Sequence, residues 1–316
     1  MRPFNYGYAL HTALDMRYTF NNKKNIDFGE KMKDTGLTTR EYVNTVIKGR
    51  PRNIHKGDCG KVLVIAGSTG MAGAAVLCAK GTLRAGSGLV KILVPRDLFT
   101  IIQIGVPEAT CVSRDVSLLD LGGFDAIAIG PGLGDDEKNQ ELIKTVLDNF
   151  QKTIVLDADG INGISRYGLL ATLKNTKGNV ILTPHYGEAV RLLSHCQVEG
   201  IESMNREEMA KALVENTNAT CILKGENTLV ATLESKTYIN TTGNPGMATG
   251  GSGDVLTGII ASLAGQGLKP EDAARAGVFA HGLAGDLCAE HLGETGMTSL
   301  DIATMVALAF KDIIGK

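Results

Sequence analysis

From Lys61 onward, short apolar runs alternate with longer amphipathic stretches. The runs are KVLVIAG from Lys61, LVKILV from Leu89, DAIAIG from Asp125, TIVLDAD from Thr153, NVILTPH from Asn179 and TCILKG from Thr220. They are nearly continuous in apolar side chains, as expected of strands covered on both faces in a parallel sheet with helical crossovers. The fold class is therefore α/β, a central, mostly parallel sheet flanked by helices on both faces. A short β section, TLVATLESKTYINTTG from Thr228, follows, and three helical patterns at 254–265, 270–291 and 299–314 close the chain. Residues 1–50 lack this texture. They are polar, charged and aromatic around NNKKN, and read as an N-terminal appendage to a main domain over 51–316. Within it, Phe4, Tyr6, Tyr8 and Phe20 are candidates for packing on a neighbouring subunit, the plainer reading being an unstructured tail.

Composition narrows the classes of partner. The 316 residues are 43% hydrophobic, enough for a sizeable core, and 32 basic side chains nearly balance 34 acidic ones. With so little net charge, no overall field draws in nucleic acid or an anionic membrane, and neither is an expected partner. The six cysteines are scattered without a C-x-x-C pair, and the six histidines form no H-x-x-x-H or H-E-x-x-H pair. This points to reduced, buried thiols in a cytoplasmic protein and against a disulfide frame or a zinc site. No apolar stretch suits a signal peptide or a bilayer span.

The candidate chemistry falls at the carboxyl ends of the apolar runs, the edge where open α/β sheets bind ligands. NPGMATGGSGDVLTGII, from Asn244, is a glycine-rich turn leading into an apolar helix. Its glycines at 250, 251 and 253 allow backbone to approach a phosphate, and helix N-termini stabilise anions. Asp254 then stands at the mouth of the site, unless Asp254 or Ser252 merely caps the helix. GSTGMAGA from Gly67 is a second such turn, with Gly67, Gly73 and Ala74 as possible ligand contacts; it is neither a Walker A loop nor G-x-G-x-x-G. GPGLG, 130–134, exposes backbone amides, or is a plain turn. LTPHYGE puts His185 on a loop, as a binding candidate or a surface histidine, and Glu188 where it caps the next helix or reaches a metal through water. LDADGIN offers Asp157, Asp159 and Asn162 to Mg²⁺ through waters, with helix capping by Asp159 as the alternative. LKGENT sets Lys224 and Gly225 to hold a nucleotide phosphate or ribose, or to turn into a hairpin.

In this order, HKGDCGKVLVIAGSTGMAGAA, GPGLG, LDADGIN, LTPHYGE, LKGENT and GNPGMATGGSGDVLTGI resemble the NAD(P)H-hydrate dehydratase family, over about residues 50–314. The resemblance implies a ribokinase-like fold and a nucleotide-dependent repair of hydrated NADH and NADPH. It implies Asp254 as general base, with the turn of Gly251, Ser252 and Gly253 stabilising the transferred phosphoryl group, and Mg²⁺ as cofactor. Lys224, Gly225, Glu226, Asn227, Thr228 and Gly253 would contact the nucleotide. Ala74, Gly132 to Gly134, His185 and Asp254 would contact the hydrate. ADP is the expected donor, favoured over ATP by the lack of a targeting segment; no motif separates the two physically. A homotetramer is also implied. The stretch TTREYVNTVIKGRPRNIHKGD resembles the junction that follows an epimerase domain in fused relatives, but residues 1–37 are too short for that domain, so no epimerase activity is expected. Two other readings stay open: a ribokinase-like kinase of a small alcohol that stops at the phosphate ester, and a nucleotide-binding sensor in which Asp254 only caps its helix.

Overall fold

The computed structural model describes residues 35–114 and 120–315. Phe4, Tyr6, Tyr8 and Phe20 lie outside the described residues. The described chain from Thr35 onward belongs to one packed unit built on a sheet of ten strands. In chain order these are β1 (Thr35–Thr38), β2 (Lys61–Ile65), β3 (Leu89–Val94), β4 (Thr110–Ser113), β5 (Ala126–Ile129), β6 (Thr153–Leu156), β7 (Asn179–Leu182), β8 (Thr220–Leu223), β9 (Leu229–Ala231) and β10 (Thr237–Asn240). Their spatial order is β1-β10-β9-β8-β7-β6-β5-β2-β3-β4. Each neighbouring pair is parallel except the two that β9 makes, with β8 and with β10. All six apolar runs are strands, and the β section from Thr228 supplies β9 and β10.

The helices are α1 (Arg40–Val46), α2 (Ala72–Arg84), α3 (Phe99–Gly105), α4 (Lys138–Asn149), α5 (Ala158–Arg166), α6 (Leu170–Lys174), α7 (Tyr186–His195), α8 (Arg206–Thr217), α9 (Ser252–Gly265), α10 (Pro270–Leu292) and α11 (Ser299–Ile314). Alternate residues of one strand serve opposite layers, as the two-residue period requires. Val62 and Val64 of β2 join a core with α1, α2, α3, α9, α10 and α11. Leu63 and Ile65 join a second core with α4 to α8. This two-sided burial is why the runs carry so few polar side chains. Fully burying one such Leu or Ile contributes about 1.5–3 kcal/mol.

Residues 35–47, which sequence texture assigns to the appendage, are built into this unit. β1 pairs with β10 at the sheet edge, and Val43 and Ile47 are buried in the first core. A stack locks the segment on: the Arg275 guanidinium of α10 lies 3.4 Å from the Tyr42 ring centroid and 3.5 Å from that of Tyr238. The Tyr42 hydroxyl also donates to Asp272. Two aromatic faces on one cation hold the segment through cation–π attraction.

The chain runs from β2 outward to β3 and β4, then returns to β5 on the other side of β2. That reversal opens a crevice beyond the carboxyl ends of β2 and β5, the place where doubly wound sheets bind ligands.

Candidate functional site

The glycine-rich turn before α9 forms one wall of the crevice. Gly251 is the N-cap, in the left-handed region at φ 90°, and no side chain caps the helix. A Cβ at Gly251 would collide with the Leu77 side chain of α2, so only glycine fits both the backbone and the space. The turn is braced from behind. Ser299 Oγ donates to the Gly250 carbonyl at 2.7 Å, and Ser252 Oγ lies 3.3 Å from His281 Nε2. Burial pushes the His281 imidazole down to about 4, so it is neutral at physiological pH.

Asp254, in the first turn of α9, is half-buried. Burial is the main force pushing its carboxyl up to about 7; the Asp157 charge adds to it and Lys224 opposes it. No side chain caps α9, so Asp254 does not serve as its cap, and burial lifts its carboxyl into the range suited to proton transfer.

Opposite stands Asp157, 1% exposed, at the end of β6. Its Oδ1 accepts from Lys224 Nζ at 2.7 Å and its Oδ2 from Thr257 Oγ1 at 2.7 Å. Lys224 is one-fifth exposed, and its Nζ lies 3.9 Å from Glu188 Oε2. The same ammonium lies 3.3 Å from where a Cβ of Gly253 would be, at the N-terminus of α9. Burial works against its charge, but Asp157, Glu188 and Asp254 outweigh that and hold its pKa above the ordinary lysine value.

Of the substrate-side candidates, Ala74 and Gly132 meet, with Gly134 next to them in the same loop, while His185 stands apart at the start of α7. The Cβ position of Gly132 lies 2.8 Å from Ala74 Cβ, and that of Gly134 lies 3.1 Å from Ser68 Oγ. The Gly134 amide donates to Asp159 Oδ2 at 2.8 Å. His185 is the N-cap of α7 in a capping box. Its Nδ1 accepts from the amides of Gly187 and Glu188, and Glu188 Oε2 accepts from the His185 amide at 2.8 Å. The His185 ring is 55% exposed, so Nε2 remains at the surface, 3.3 Å from Glu188 Oε1.

Residues Gly225 to Thr228 form the turn between β8 and β9, with Thr228 Oγ1 donating to the Gly225 carbonyl at 2.9 Å. Arg206 of α8 clamps this turn by donating to the carbonyls of Leu223, Lys224 and Glu226. Lys224 turns away from it, toward Asp157.

The acidic motif behaves differently from a magnesium cradle. Asp157 is the backbone N-cap of α5 and spends both oxygens on Lys224 and Thr257, while Asp159 binds the Gly134 amide instead of capping the helix. Asn162 accepts from Arg191 Nε at 3.1 Å. Among the described residues no three His, Cys, Asp or Glu side chains converge to hold a metal. The donor set therefore does not fit a magnesium ion held by side chains. Among the same residues, no helix is long and apolar enough to cross a membrane.

Three contributors escaped sequence reasoning: Thr257, Arg206 and His281 as a partner of Ser252. For Thr257 and His281 the available signal was a polar residue inside a helical run of small and apolar side chains, whereas Arg206 opens the polar helix α8 and carried no local signal. Thr257 stands one turn beyond Asp254, on the same face of α9.

The NAD(P)H-hydrate dehydratase profile matches residues 62–307. The bifunctional NAD(P)H-hydrate repair enzyme of Moorella thermoacetica is 40% identical over 290 residues, covering 88% of this chain and 54% of that protein. The ADP-dependent (S)-NAD(P)H-hydrate dehydratase of Neisseria meningitidis is 38% identical, covering 85% of this chain and 93% of that one. The chain thus spans about half the length of the bifunctional relatives and nearly all of the Neisseria protein. Among solved structures, the Bacillus subtilis ADP/ATP-dependent NAD(P)H-hydrate dehydratase superimposes with a TM-score of 0.76 at 29% identity, covering 89% of this chain and 99% of that one. A ribokinase-like superfamily protein of Enterococcus faecalis gives 0.79 at 28% identity, covering 90% and 98%. The fold is ribokinase-like, and the chain belongs to the NAD(P)H-hydrate dehydratase family.

Proposed function

We propose that this chain dehydrates the S form of NADH and NADPH hydrate with ADP as phosphoryl donor. The observation that carries the reading is Asp254: a half-buried carboxyl at an uncapped helix N-terminus, with the Lys224 ammonium beside it. A sensor that used Asp254 only as a cap would leave its oxygens bound to the backbone of α9. The ADP-dependent Neisseria relative, matched over nearly its whole length, supports ADP.

The hydrate carries a hydroxyl on a saturated ring carbon, and hydroxide is a poor leaving group. Asp254 takes the hydroxyl proton while the oxygen attacks the terminal phosphorus of ADP; the bond from that phosphorus to the bridging oxygen breaks, and AMP leaves. The ring carbon–oxygen bond of the new ester then breaks, phosphate departs with the electron pair, and the adjacent ring carbon gives up a proton to restore the double bond. Hydrate and ADP become NADH or NADPH, AMP and phosphate. The uncapped amides around Gly251, Ser252 and Gly253 stabilise the phosphoryl group in transfer, and the Lys224 ammonium offsets its charge. Gly225, Glu226, Asn227 and Thr228 line the nucleotide, while Ala74, Gly132, Gly134 and His185 line the hydrate. Magnesium belongs to this reading as a companion of the nucleotide's phosphates, and no step is assigned to it. A homotetramer and a cytoplasmic location complete the proposal.

The test is to mix purified protein with S-form NADH hydrate and Mg²⁺, add ADP or ATP separately, and follow the return of NADH absorbance. Recovery with ADP is expected. Recovery with ATP alone would reverse the donor assignment, and a stable phosphorylated product without NADH would identify a small-alcohol kinase.

A further inference from the structure

The Asp157–Lys224 pair stands beside the base but does not include it. Lys224 pairs with Asp157 at 2.7 Å and lies 3.9 Å from Glu188, and its ammonium stands 3.3 Å from the Cβ position of Gly253, the residue before Asp254, whose charge also bears on it. An ammonium that closed on Asp254 would be harmful. It would hydrogen-bond the carboxylate, lower its basicity and occupy the oxygens that must receive the hydroxyl proton.

Asp157 is built to win this competition. It is fixed at the end of β6, almost fully buried, and Thr257 holds its second oxygen at 2.7 Å. Thr257 is fully buried and sits on α9 itself, one turn beyond Asp254. The carboxylate that takes Lys224 is thereby pinned to the helix that carries the base. The ammonium ends beside Gly253, where a transferring phosphoryl group meets the N-terminus of α9.

We propose that Asp157 and Thr257 are positioning residues: together they hold the Lys224 ammonium at the mouth of α9 and off Asp254, leaving that carboxylate free to take the substrate's proton. The proposal rests on the reading of Asp254 as the base. It also divides the LKGENT motif. Lys224 serves the phosphoryl group in transfer, and the residues after it serve the rest of the nucleotide.

The charged and titratable groups around Asp254 are Asp157 and Asp159 from the β6–α5 segment, Lys224 after β8 and Cys78 from α2; Glu188 of α7 and His281 of α10 face Lys224. Of these, Asp157 is the charge that most raises the basicity of Asp254. Its removal acts twice in one direction, deleting a like charge and releasing an ammonium toward Asp254.

The experiment compares wild type, Asp157→Asn, Thr257→Val and Thr257→Ser for hydrate turnover with ADP across pH 5 to 9, with ADP affinity measured separately. Asp157→Asn is expected to lower kcat by about 100-fold and to move the acid limb of kcat/KM down by about one pH unit or more. Thr257→Val is expected to lower kcat by roughly tenfold with the hydrate KM unchanged, and Thr257→Ser to restore it. A fall in kcat for Asp157→Asn with the acid limb in place would overturn the proposal, because a merely structural loss leaves the base as it was. If Asp157→Asn does not fold, the threonine pair decides: unchanged kcat in Thr257→Val, or no rescue by serine, overturns it. Wild type that turns over no hydrate with either nucleotide sinks the underlying reading instead.

Discussion

Two helices open onto the same edge of the sheet with an acidic residue in the first turn, and they treat it oppositely. At α7, Glu188 reaches back to the His185 amide while His185 Nδ1 accepts from the amides ahead. At α9 no side chain caps the helix, and Asp254 keeps its oxygens. A helix N-terminus leaves amides unpaired, and an internal cap satisfies them. The α7 end is therefore closed by its own sequence. The α9 end stays open to an anion, and its carboxylate stays available for chemistry. Composition alone does not separate the two; what separates them is where the carboxylate oxygens go.

The largest way to break this contrast is to close the α9 turn. Gly251→Ala adds a Cβ at positive φ and against Leu77, which should lower kcat by 100-fold or more, of the order of losing a phosphoryl-stabilising donor. Steady-state turnover alongside ADP affinity checks it. Next, Lys224→Met removes the ammonium at the open end. A loss of about 100-fold in kcat is expected, larger than the rise in the hydrate KM; equal effects on both would mean that Lys224 only binds.

A smaller effect concerns stability. The Asp254 carboxyl is raised from 3.8 to about 7 on folding, so its ionised form is disfavoured in the native state. This carboxyl's contribution to wild-type stability is therefore lost as pH rises from about 4 through 7. Asp254→Asn should give no gain near pH 4 and a full gain, about 1–2 kcal/mol after discounting for partial exposure, above pH 7. Denaturant titrations at pH 4 and pH 8 check this; a gain of equal size at both would contradict the titration. The smallest effect belongs to the closed helix. His185→Ala removes the cap of α7 and should cost about 1 kcal/mol while leaving kcat nearly unchanged and raising the hydrate KM a few-fold. Thermal melts and Michaelis curves separate the two losses.

Much of this was readable in the chain because two-sided burial writes itself into a strand. Runs such as AIAI in β5 and TIVL in β6 admit few polar residues, and the turns after them need glycine or a charged end group. The open turn before α9 was readable for the same reason, with Gly251 and Asp254 three positions apart in sequence. What stayed hidden depends on pairing across the chain. Asp157 and Lys224 are separated by 67 positions, and nothing local tells a carboxylate waiting for a metal from one waiting for an ammonium. Thr257 reads as one tolerated hydroxyl in an apolar helix until Asp157 is placed against it. β1 was missed because TGLT is four residues with one large apolar side chain, and its place is set by β10 and by the Tyr42–Arg275–Tyr238 stack.

The measurement that bears most directly on the open α9 turn is made on Asp254→Asn, pairing hydrate turnover with ADP affinity by calorimetry. Turnover is expected to fall by about 1,000-fold or more while the ADP Kd stays within a few-fold of wild type. A variant that binds ADP and still restores NADH at close to the wild-type rate would contradict the assignment of Asp254 as the base.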